Sequence, residues 1–217
     1  MPRPRTHDLE HLLDTAERMA VDSGPAAVTV RALSAATSVS NGAIYHAFGS
    51  RAGLMGRVWS RAAHRFLDLQ RAAVDHALAA GSGSEQAVEA VVAAADTPAE
   101  FLLRHPTSGR FLLTVSRREL LGSGEIGDDL AGEMRRLDQT LAELFTALAD
   151  AVFDRTDREA VTVIRDCVVE LPTALLLRGR RNPDSALRQR LAAAVRAVLA
   201  VPPPPPPRGG TTPTTPK

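Results

Sequence analysis

The stretch Thr29–Leu54, TVRALSAATSVSNGAIYHAFGSRAGL, decides the fold of this chain. Thr29 and Ser40 each precede a short run of residues whose apolar members have helical spacing, so each is predicted to cap the N-terminus of a helix. The segment Thr37-Ser38-Val39 leaves room for only a tight turn between the two helices. Two short helices joined by such a turn are typical of a helix-turn-helix.

Helical periodicity continues on both sides of this stretch. Upstream, the apolar residues from Leu9 to Ala20 fall on one face of a helix that ends at Ser23-Gly24-Pro25. Downstream, Ser50 is predicted to cap a long helix whose apolar stripe begins at Leu54. Three helices and the start of a fourth therefore form a compact unit with its own small core.

The rest of the chain predicts more helices and no strand. Helical patterns cover about 85–104, 107–121, 126–153 and 157–180, and Asp184 is predicted to cap a last helix. We therefore expect an all-α fold of about nine helices, in which a three-helix unit with the helix-turn-helix precedes a second unit of about six helices. The predicted segments are the helix-turn-helix domain at 1–54, the C-terminal domain at 55–201, and a Pro-rich tail, polyproline II followed by disorder, at 202–217.

Composition excludes several classes of protein. The 217 residues are 44% hydrophobic and 24% charged, which is typical of a globular protein that does not enter the membrane, and we expect a cytoplasmic location. The single cysteine, Cys167, excludes an intramolecular disulfide and lies in an apolar run that favours a buried position. Residues through 65 hold eight basic and five acidic side chains, or +3, which leaves −2 for the remainder of a chain of net charge +1. This asymmetry is compatible with DNA binding but too weak to argue for it.

The second helix of the pair carries the chemistry expected for DNA recognition. Its first residues are small or hydrogen-bonding, so this end could enter the major groove, where Asn41 could contact a base edge. Tyr45, His46 and Arg51 follow at spacings suited to phosphate contacts, and Thr29 and Arg31 would make similar contacts from the first helix. The candidate DNA-binding residues are Thr29, Arg31, Ser40, Asn41, Gly42, Ala43, Tyr45, His46 and Arg51.

The run from Leu12 to Trp59 resembles the N-terminal domain of TetR-family transcriptional regulators. The matching residues are Ala16, Gly24, Thr29-Val30-Arg31, Leu33, Val39 through Arg51, and Leu54. The similarity covers about a quarter of the chain. It departs from the usual family pattern at Ser34, Ser38, Ala47 and Arg51. Ser38 stands where the family usually has glycine, and that turn position often requires a positive φ, so we expect a slightly different or strained turn there.

The resemblance implies that the region from about residue 70 onward binds a small effector and forms a homodimer. By the family's layout the pocket candidates are Phe101, His105, Phe111, Met134, Leu137, Phe145, Cys167 and Thr173. Their apolar character favours a hydrophobic or amphipathic effector, although each could equally belong to a plain core.

The helix near 157–180 is apolar on most sides, so it is predicted to be buried on most sides. Pro172 is predicted to kink it. One face would pack on its own subunit and the other on a twofold mate with the stripe of the last helix; the alternative is a core helix of a monomer. The interface candidates are Val168, Leu171, Leu175, Leu187, Leu191, Val195 and Val198.

Three classes of function follow. The leading hypothesis is a ligand-responsive repressor that binds a palindromic operator in double-stranded DNA as a homodimer and needs no cofactor or metal. The alternative is a helical small-molecule or partner-binding protein that does not use DNA. An enzyme is disfavoured because no metal-ligand pattern, nucleophile elbow or phosphate-binding glycine loop stands above chance, and His7 and His11 lack a Glu-x-x-His context.

Overall fold

The structure, a computed structural model, describes residues 6–114, 126–178 and 182–206. These residues contain nine helices and no strand. The first seven helices are α1 at Thr6–Ser23, α2 at Val30–Thr37, α3 at Asn41–Phe48, α4 at Arg51–Ala79, α5 at Ser84–Arg104, α6 at Pro106–Thr114 and α7 at Asp128–Phe153. Helix α8 begins as an α-helix at Arg158–Arg165 and continues through π-helical stretches at Asp166–Glu170 and Thr173–Leu177, and α9 spans Ser185–Leu199. The predicted all-α fold is confirmed, and the end of the helix expected at 107–121 lies outside the described residues.

The predicted N-caps are present at four helices. The side chains of Thr29, Ser40, Ser50 and Asp184 accept hydrogen bonds from backbone N–H groups in the first turns of α2, α3, α4 and α9, at 3.1, 3.2, 2.9 and 2.7 Å. Each satisfies a donor that has no partner within its helix.

The turn of the helix-turn-helix has the irregularity expected at Ser38. Ser38 follows α2 in the left-handed region at φ 59° and ψ 14°, and its N–H donates to the Ser34 carbonyl oxygen. A side chain costs more than glycine in this conformation, so the turn carries modest strain.

The N-terminal core extends past the predicted boundary at residue 54. Leu12, Leu33 and Ile44 of the first three helices pack with Met55 and Val58 of α4. Phe111, a residue of α6, is fully buried in the same cluster. Helix α4 and one side chain of α6 therefore belong to the core of the DNA-binding unit.

A second and larger core joins α5, α7, α8 and α9. Four of the residues predicted to form the dimer interface lie in this core instead. Val168, Leu187, Leu191 and Val195 are between 0 and 4% exposed within this single chain, so they have no surface left for a partner. The stripe of α9 faces α5 of its own subunit, because small alanines on α5 let the two helices approach closely. Leu171, Leu175 and Val198 remain partly exposed at the edge of this core.

Pro172 lies between the two π-helical stretches of α8. The N–H of Leu171 bonds to the Asp166 carbonyl oxygen and that of Arg178 to the Thr173 carbonyl oxygen, both five residues back. Proline has no N–H and crowds the preceding turn, and wide turns on both sides relieve that conflict. The irregularity that the sequence predicts at Pro172 therefore takes the form of two wide turns.

The start of the Pro-rich tail packs on the domain, which differs from the expectation of a free tail from residue 202. Pro203 is buried, and the guanidinium of Arg155 donates to the carbonyl oxygens of Pro203 and Pro204 at 3.1 and 2.8 Å. Proline carbonyls accept hydrogen bonds although proline cannot donate one. Residues 207–217 lie outside the described residues. Within the described part of the chain, no helix is long and apolar enough to cross a membrane.

Candidate nucleic-acid interface

Helix α3 presents one polar face outward. Asn41, Gly42, Tyr45 and His46 are exposed, Tyr45 to 54%, whereas Ile44 is buried in the N-terminal core. These positions form two adjacent pairs, and the second pair lies four residues after the first, which places all four on a single side of the helix. A large aromatic side chain left half in solvent next to hydrogen-bonding groups suits contact with another molecule.

Two glycines in this region differ in the space that a side chain would find. A Cβ on Gly53 would lie 2.1 Å from the carbonyl oxygen of Phe48, so the end of α3 can approach α4 only if residue 53 has no side chain. A Cβ on Gly42 would meet nothing within 4 Å. Internal packing therefore does not require glycine at position 42, and close approach by an outside partner gives a reason for it.

The remaining predicted contacts from α2 and the helix starts are accessible, with one partial exception. Thr29, Arg31 and Ser40 are exposed, and Ala43 is half-buried. The hydroxyls of Thr29 and Ser40 already accept hydrogen bonds as N-caps. They keep their own O–H groups for donation to a phosphate oxygen.

Arg51 has a different role from the predicted phosphate contact. Its Nε donates to the Val28 carbonyl oxygen at 2.7 Å, and its Nη2 donates to the Pro25 carbonyl oxygen. These bonds link the start of α4 to the turn between α1 and α2, where Pro25–Ala27 forms a 3-10 turn. Sequence spacing carried no signal for this contact, because the partners are backbone atoms more than twenty residues away.

The surroundings of the recognition face carry no acidic side chain in sequence. No Asp or Glu occurs between Asp22 and Asp68. Arg57 on α4 is paired with Glu133 of α7, which also accepts a hydrogen bond from Ser60. A stretch of sequence that carries arginines and no carboxylate favours contact with a polyanion even though the net charge of the whole chain is small.

Arg61 connects the DNA-binding unit internally. Its Nη1 binds Glu10 at 2.8 Å, and its Nη2 binds Asp14 and Glu17, both at 2.9 Å. Burial disfavours the charge of Arg61, but the hydrogen bond to Glu10 and the nearby carboxylates outweigh it and raise the pKa of the guanidinium above its usual value. One arginine of α4 thus forms ion pairs with three carboxylates of α1. The local sequence around Arg61 gives no signal for this network.

The predicted effector residues do not line one cavity. Phe111 lies in the N-terminal core, Leu137 in a small cluster between α4 and α7, and Phe145 and Cys167 in the large core. Phe101 is fully buried and packs edge-on against Phe66 with ring centroids 5.5 Å apart.

Met134 is also fully buried, and Thr173 is half-buried at the start of the second π-helical stretch. Burial, with a smaller contribution from the charge of Asp166, raises the pKa of the Cys167 thiol to about 12, so this cysteine is unreactive near neutral pH. His105, one of the eight candidates, lines a surface cavity with residues of α1, α4 and α6. No group of His, Cys, Asp or Glu side chains that could hold a metal occurs among the described residues.

A groove of about 520 Å³ between α4, α5 and α9 has a partly apolar floor and charged walls. Its carboxylates already have partners, because Arg188 binds both Asp96 and Glu100, and Arg104 binds Glu100 at 2.6 Å. The groove therefore offers little uncompensated charge to a ligand.

Comparison with known proteins agrees with this geometry. Residues 12–58 match the family model for bacterial regulatory proteins of the tetR family. Searching the curated protein sequences yields no significant match.

Solved structures with a similar fold include a regulatory protein in the tetR family from Rhodococcus RHA1, which is 16% identical with a TM-score of 0.63 over 90% of this chain and 97% of that chain. The ketosteroid transcriptional regulator KstR2 of Mycobacterium tuberculosis is 16% identical with a TM-score of 0.57, over 91% of this chain and 96% of that chain. The fatty acid degradation regulator FadR from Bacillus halodurans is 16% identical with a TM-score of 0.58, over 91% and 95% of the two chains. At these identities the structural likeness concerns the fold alone, whereas the match over residues 12–58 concerns the sequence of the recognition domain.

Proposed function

We propose that the chain is a repressor of the tetR family of bacterial regulatory proteins that binds a palindromic DNA operator as a homodimer and responds to a small effector, and the family match over residues 12–58 supports this. One observation carries the proposal: α3 presents an exposed polar face in a region of sequence without acidic residues, with N-caps that fix the helix on its own core. That arrangement suits a helix that enters the major groove by its N-terminal end.

Each exposed residue of α3 has a role in this proposal. Asn41 would hydrogen-bond a base edge, and Gly42 and Ala43 would allow the backbone to come close. Tyr45 and His46 would contact phosphates on either side of the groove. Thr29 and Arg31 of the preceding helix would add phosphate contacts. Arg51 would not touch DNA, but would fix the start of α4 to the turn before α2 through its bonds to the Val28 and Pro25 carbonyl oxygens.

A second copy of the chain is the partner proposed for the outer edge of α8 and α9. Leu171, Leu175 and Val198 are partly exposed there. A twofold interface would place the two recognition helices on half-sites about one helical turn apart or a multiple of it, which matches a palindrome.

Helix α4 would carry the response to an effector. It spans 29 residues, or about 44 Å at 1.5 Å per residue. Its first residue follows the turn after α3, and its first third is fixed to α7 by the pairing of Arg57 and Ser60 with Glu133. A movement of α7 would therefore tilt α4 and change the separation of the two recognition helices.

The class of effector remains the expectation from the sequence, a hydrophobic or amphipathic molecule. The printed names of two similar structures, a ketosteroid regulator and a fatty acid degradation regulator, support an apolar effector. Such a molecule would have to open the packed cores that hold Phe101, Phe145 and Cys167.

DNA binding is tested with duplexes from the chain's own upstream region that contain palindromes, by fluorescence anisotropy over a range of salt concentrations. We expect specific duplexes to bind at least a hundredfold more tightly than scrambled ones, with Asn41→Ala reducing that preference at least tenfold. Tyr45→Ala removes a proposed phosphate contact and should weaken binding to both kinds of duplex by a similar factor. Leu103→Ala, another exposed large side chain but on α5, is the matched control. Equal binding to scrambled DNA, with a steep dependence on salt, would overturn the proposal.

The alternative, a helical binding protein that does not use DNA, is not favoured. A chain that had lost DNA binding would have no need for glycine at position 42, where a side chain would meet nothing within 4 Å. A wild-type chain that shows no sequence preference for any duplex would favour this alternative.

The dimer is tested by light scattering after size-exclusion chromatography. Leu175→Glu is expected to convert a dimer to a monomer, because it places a charge at the partly exposed edge of α8. Leu103→Glu changes an exposed leucine on another surface and should leave the dimer intact. A wild-type protein that runs as a monomer at micromolar concentration would contradict the twofold arrangement.

A further inference from the structure

A polar cavity of about 320 Å³ lies where the DNA-binding unit meets the region behind it. Its walls come from α1, from α4, and from the junction of α5 and α6. Asp14 and Glu17 of α1 line one side, and Arg65, Arg104 and Ser108 line the rest with Arg18. The cavity therefore has an acidic wall and a basic wall, and no part of it coincides with the recognition face of α3.

The acidic wall lacks positive charge. Glu17 and Asp14 share one cation, Arg61, with a third carboxylate, Glu10. The Glu17 side chain is only 4% exposed, and its second carboxylate oxygen, Oε1, has no hydrogen-bond partner among the described residues. Burying a charged acceptor without a donor is costly, and a ligand that brings N–H groups to this wall would remove the cost.

Two arginines of the basic wall have no carboxylate partner among the described residues, whereas Arg104 is paired with Glu100. Among those residues Arg65 makes a single long contact, from Nη1 to the Ser108 hydroxyl at 3.5 Å. Arg18 bonds to the hydroxyl of Thr15 and to no described carboxylate. The first intrahelical bond of α6 runs from the Gly109 N–H to the His105 carbonyl oxygen, which leaves the N–H groups of Thr107 and Ser108 available to an anion.

We propose that this cavity binds a small zwitterion of the α-amino-acid class, with its ammonium group on Glu17 and Asp14 and its carboxylate on Arg65 and the N-terminus of α6. A simple anion would satisfy the basic wall but be repelled by the two carboxylates. A simple amine would satisfy Glu17 but meet three arginines. Only a ligand that carries both charges complements both walls.

The position of the cavity makes this ligand a regulator, an inference that rests on the proposed function. The acidic wall belongs to α1 of the DNA-binding unit, and Ser108 belongs to α6 behind it. A ligand that bridges the walls would fix the angle between the recognition helix and the rest of the subunit. Operator affinity and ligand affinity would then change by the same factor.

The first test is calorimetry of the full chain without DNA, using the twenty standard L-α-amino acids as probes. We expect at least one to bind with a dissociation constant below 1 mM, which is the scale on which metabolite sensors operate. For the best binder, the matched amine without the carboxylate and the matched acid without the amino group should each bind at least tenfold more weakly. Absence of binding by all twenty, or equal binding by the acid or the amine alone, would overturn the proposal.

The second test uses variants on the two walls. Arg65→Gln and Glu17→Gln should each weaken binding of that amino acid at least tenfold, whereas Arg71→Gln, an exposed arginine on the same helix outside the cavity, should bind it as the wild type does. Glu17→Gln also alters the Arg61 network, so a melting temperature accompanies it, and Arg65→Gln decides the matter if Glu17→Gln does not fold. Unchanged binding by Arg65→Gln would overturn the site.

Ligand binding is measured without DNA and operator binding without ligand, so each proposal can fail alone. Loss of operator specificity with intact amino-acid binding would count against the repressor. Intact operator binding without amino-acid binding would count against the cavity. A change of operator affinity by the amino acid in the wild type, absent in Arg65→Gln, would link the two.

Discussion

The recognition unit and the region behind it are built by different means. Helices α2 and α3 have eight residues each, too few to be stable alone, and each is closed at its start by a side-chain cap. Helices α5 and α7, with 21 and 26 residues, begin after Gly83 and Gly127 without a side-chain cap and are held by tertiary packing. Helices α5 and α7 thus depend on what lies against them, whereas α8 and α9 of the same region also have side-chain caps, at Asp157 and Asp184.

The two regions also treat charge differently. The stretch of the recognition unit between Asp22 and Asp68, which contains α2 and α3, has no carboxylate, whereas α9 is fixed to α5 by ion pairs across the core edge. Arg196 binds Glu89 at 2.7 Å, and Arg188 binds Asp96 and Glu100. The hydrogen bonds from Arg196 to Glu89 and from Arg104 to Glu100 hold the pKa of each carboxyl below its usual value. Exposed ion pairs of this kind contribute little to the stability of the fold. Their main effect is to specify which face of α9 packs against α5.

The largest expected effect tests whether packing alone holds the rear region. Leu191→Asp places a charge at a position of α9 that is 1% exposed, and we expect a loss of more than about 4 kcal/mol in the free energy of unfolding. Gln189→Asp, on the exposed side of the same helix, should change it by less than about 0.5 kcal/mol. Chemical denaturation measures both. If Leu191→Asp stayed folded and lost only its dimer, the stripe would face a partner after all.

The next prediction separates two glycines of the recognition unit. Gly53→Ala should cost about 2–3 kcal/mol, because its Cβ would collide with the Phe48 carbonyl. Gly42→Ala should keep or raise stability by about 0.5 kcal/mol and weaken operator binding, since its methyl points into open space. Melting temperature and DNA affinity are measured together. Equal loss of stability in the two variants would remove the argument for DNA contact at Gly42.

A smaller effect distinguishes a structural Arg51 from a phosphate contact. Arg51→Lys keeps the charge but cannot reproduce both bonds to the Val28 and Pro25 carbonyls, so we expect about 1–2 kcal/mol less stability. Arg71→Lys on the exposed side of α4 is the control. If the variant is as stable as the wild type but binds DNA more weakly and with less dependence on salt, then Arg51 contacts a DNA phosphate.

The smallest effect concerns Asp157, the cap of α8. The hydrogen bond from Arg155 lowers the pKa of Asp157 to about 2, despite opposing desolvation, and the N–H groups of Ala160 and Glu159 add to the shift. Because the folded pKa lies below the usual 3.8, the stabilisation is complete above that pH and is lost as the pH falls toward 2. Asp157→Asn should flatten this part of a melting-temperature profile, and Asp154→Asn should not. An unchanged profile in Asp157→Asn would exclude this carboxylate as the acid-sensitive group.

Much of the fold was predictable because its signals are local. Thr29, Ser40 and Ser50 were identified as caps from their positions before apolar runs, and Ser38 was expected to need a positive φ. The exposed set on α3 followed from helical spacing alone. The backbone contacts of Arg51 could not be predicted, because nothing in its neighbourhood indicates that the carbonyls at Val28 and Pro25 will lie within reach.

What the sequence by itself determined is the class of each segment: where helices begin, where they end, and which short helix carries a cluster of hydrogen-bonding side chains. Only the tertiary structure decided which side of an amphipathic helix faces its own subunit. Leu187, Leu191 and Val195 form a stripe that could bury itself equally well against a partner or against α5, and the alanines of α5 settled the choice. The cavity between Glu17 and Arg65 was likewise invisible in sequence, because it joins residues of α1, α4 and α6 that only packing brings together.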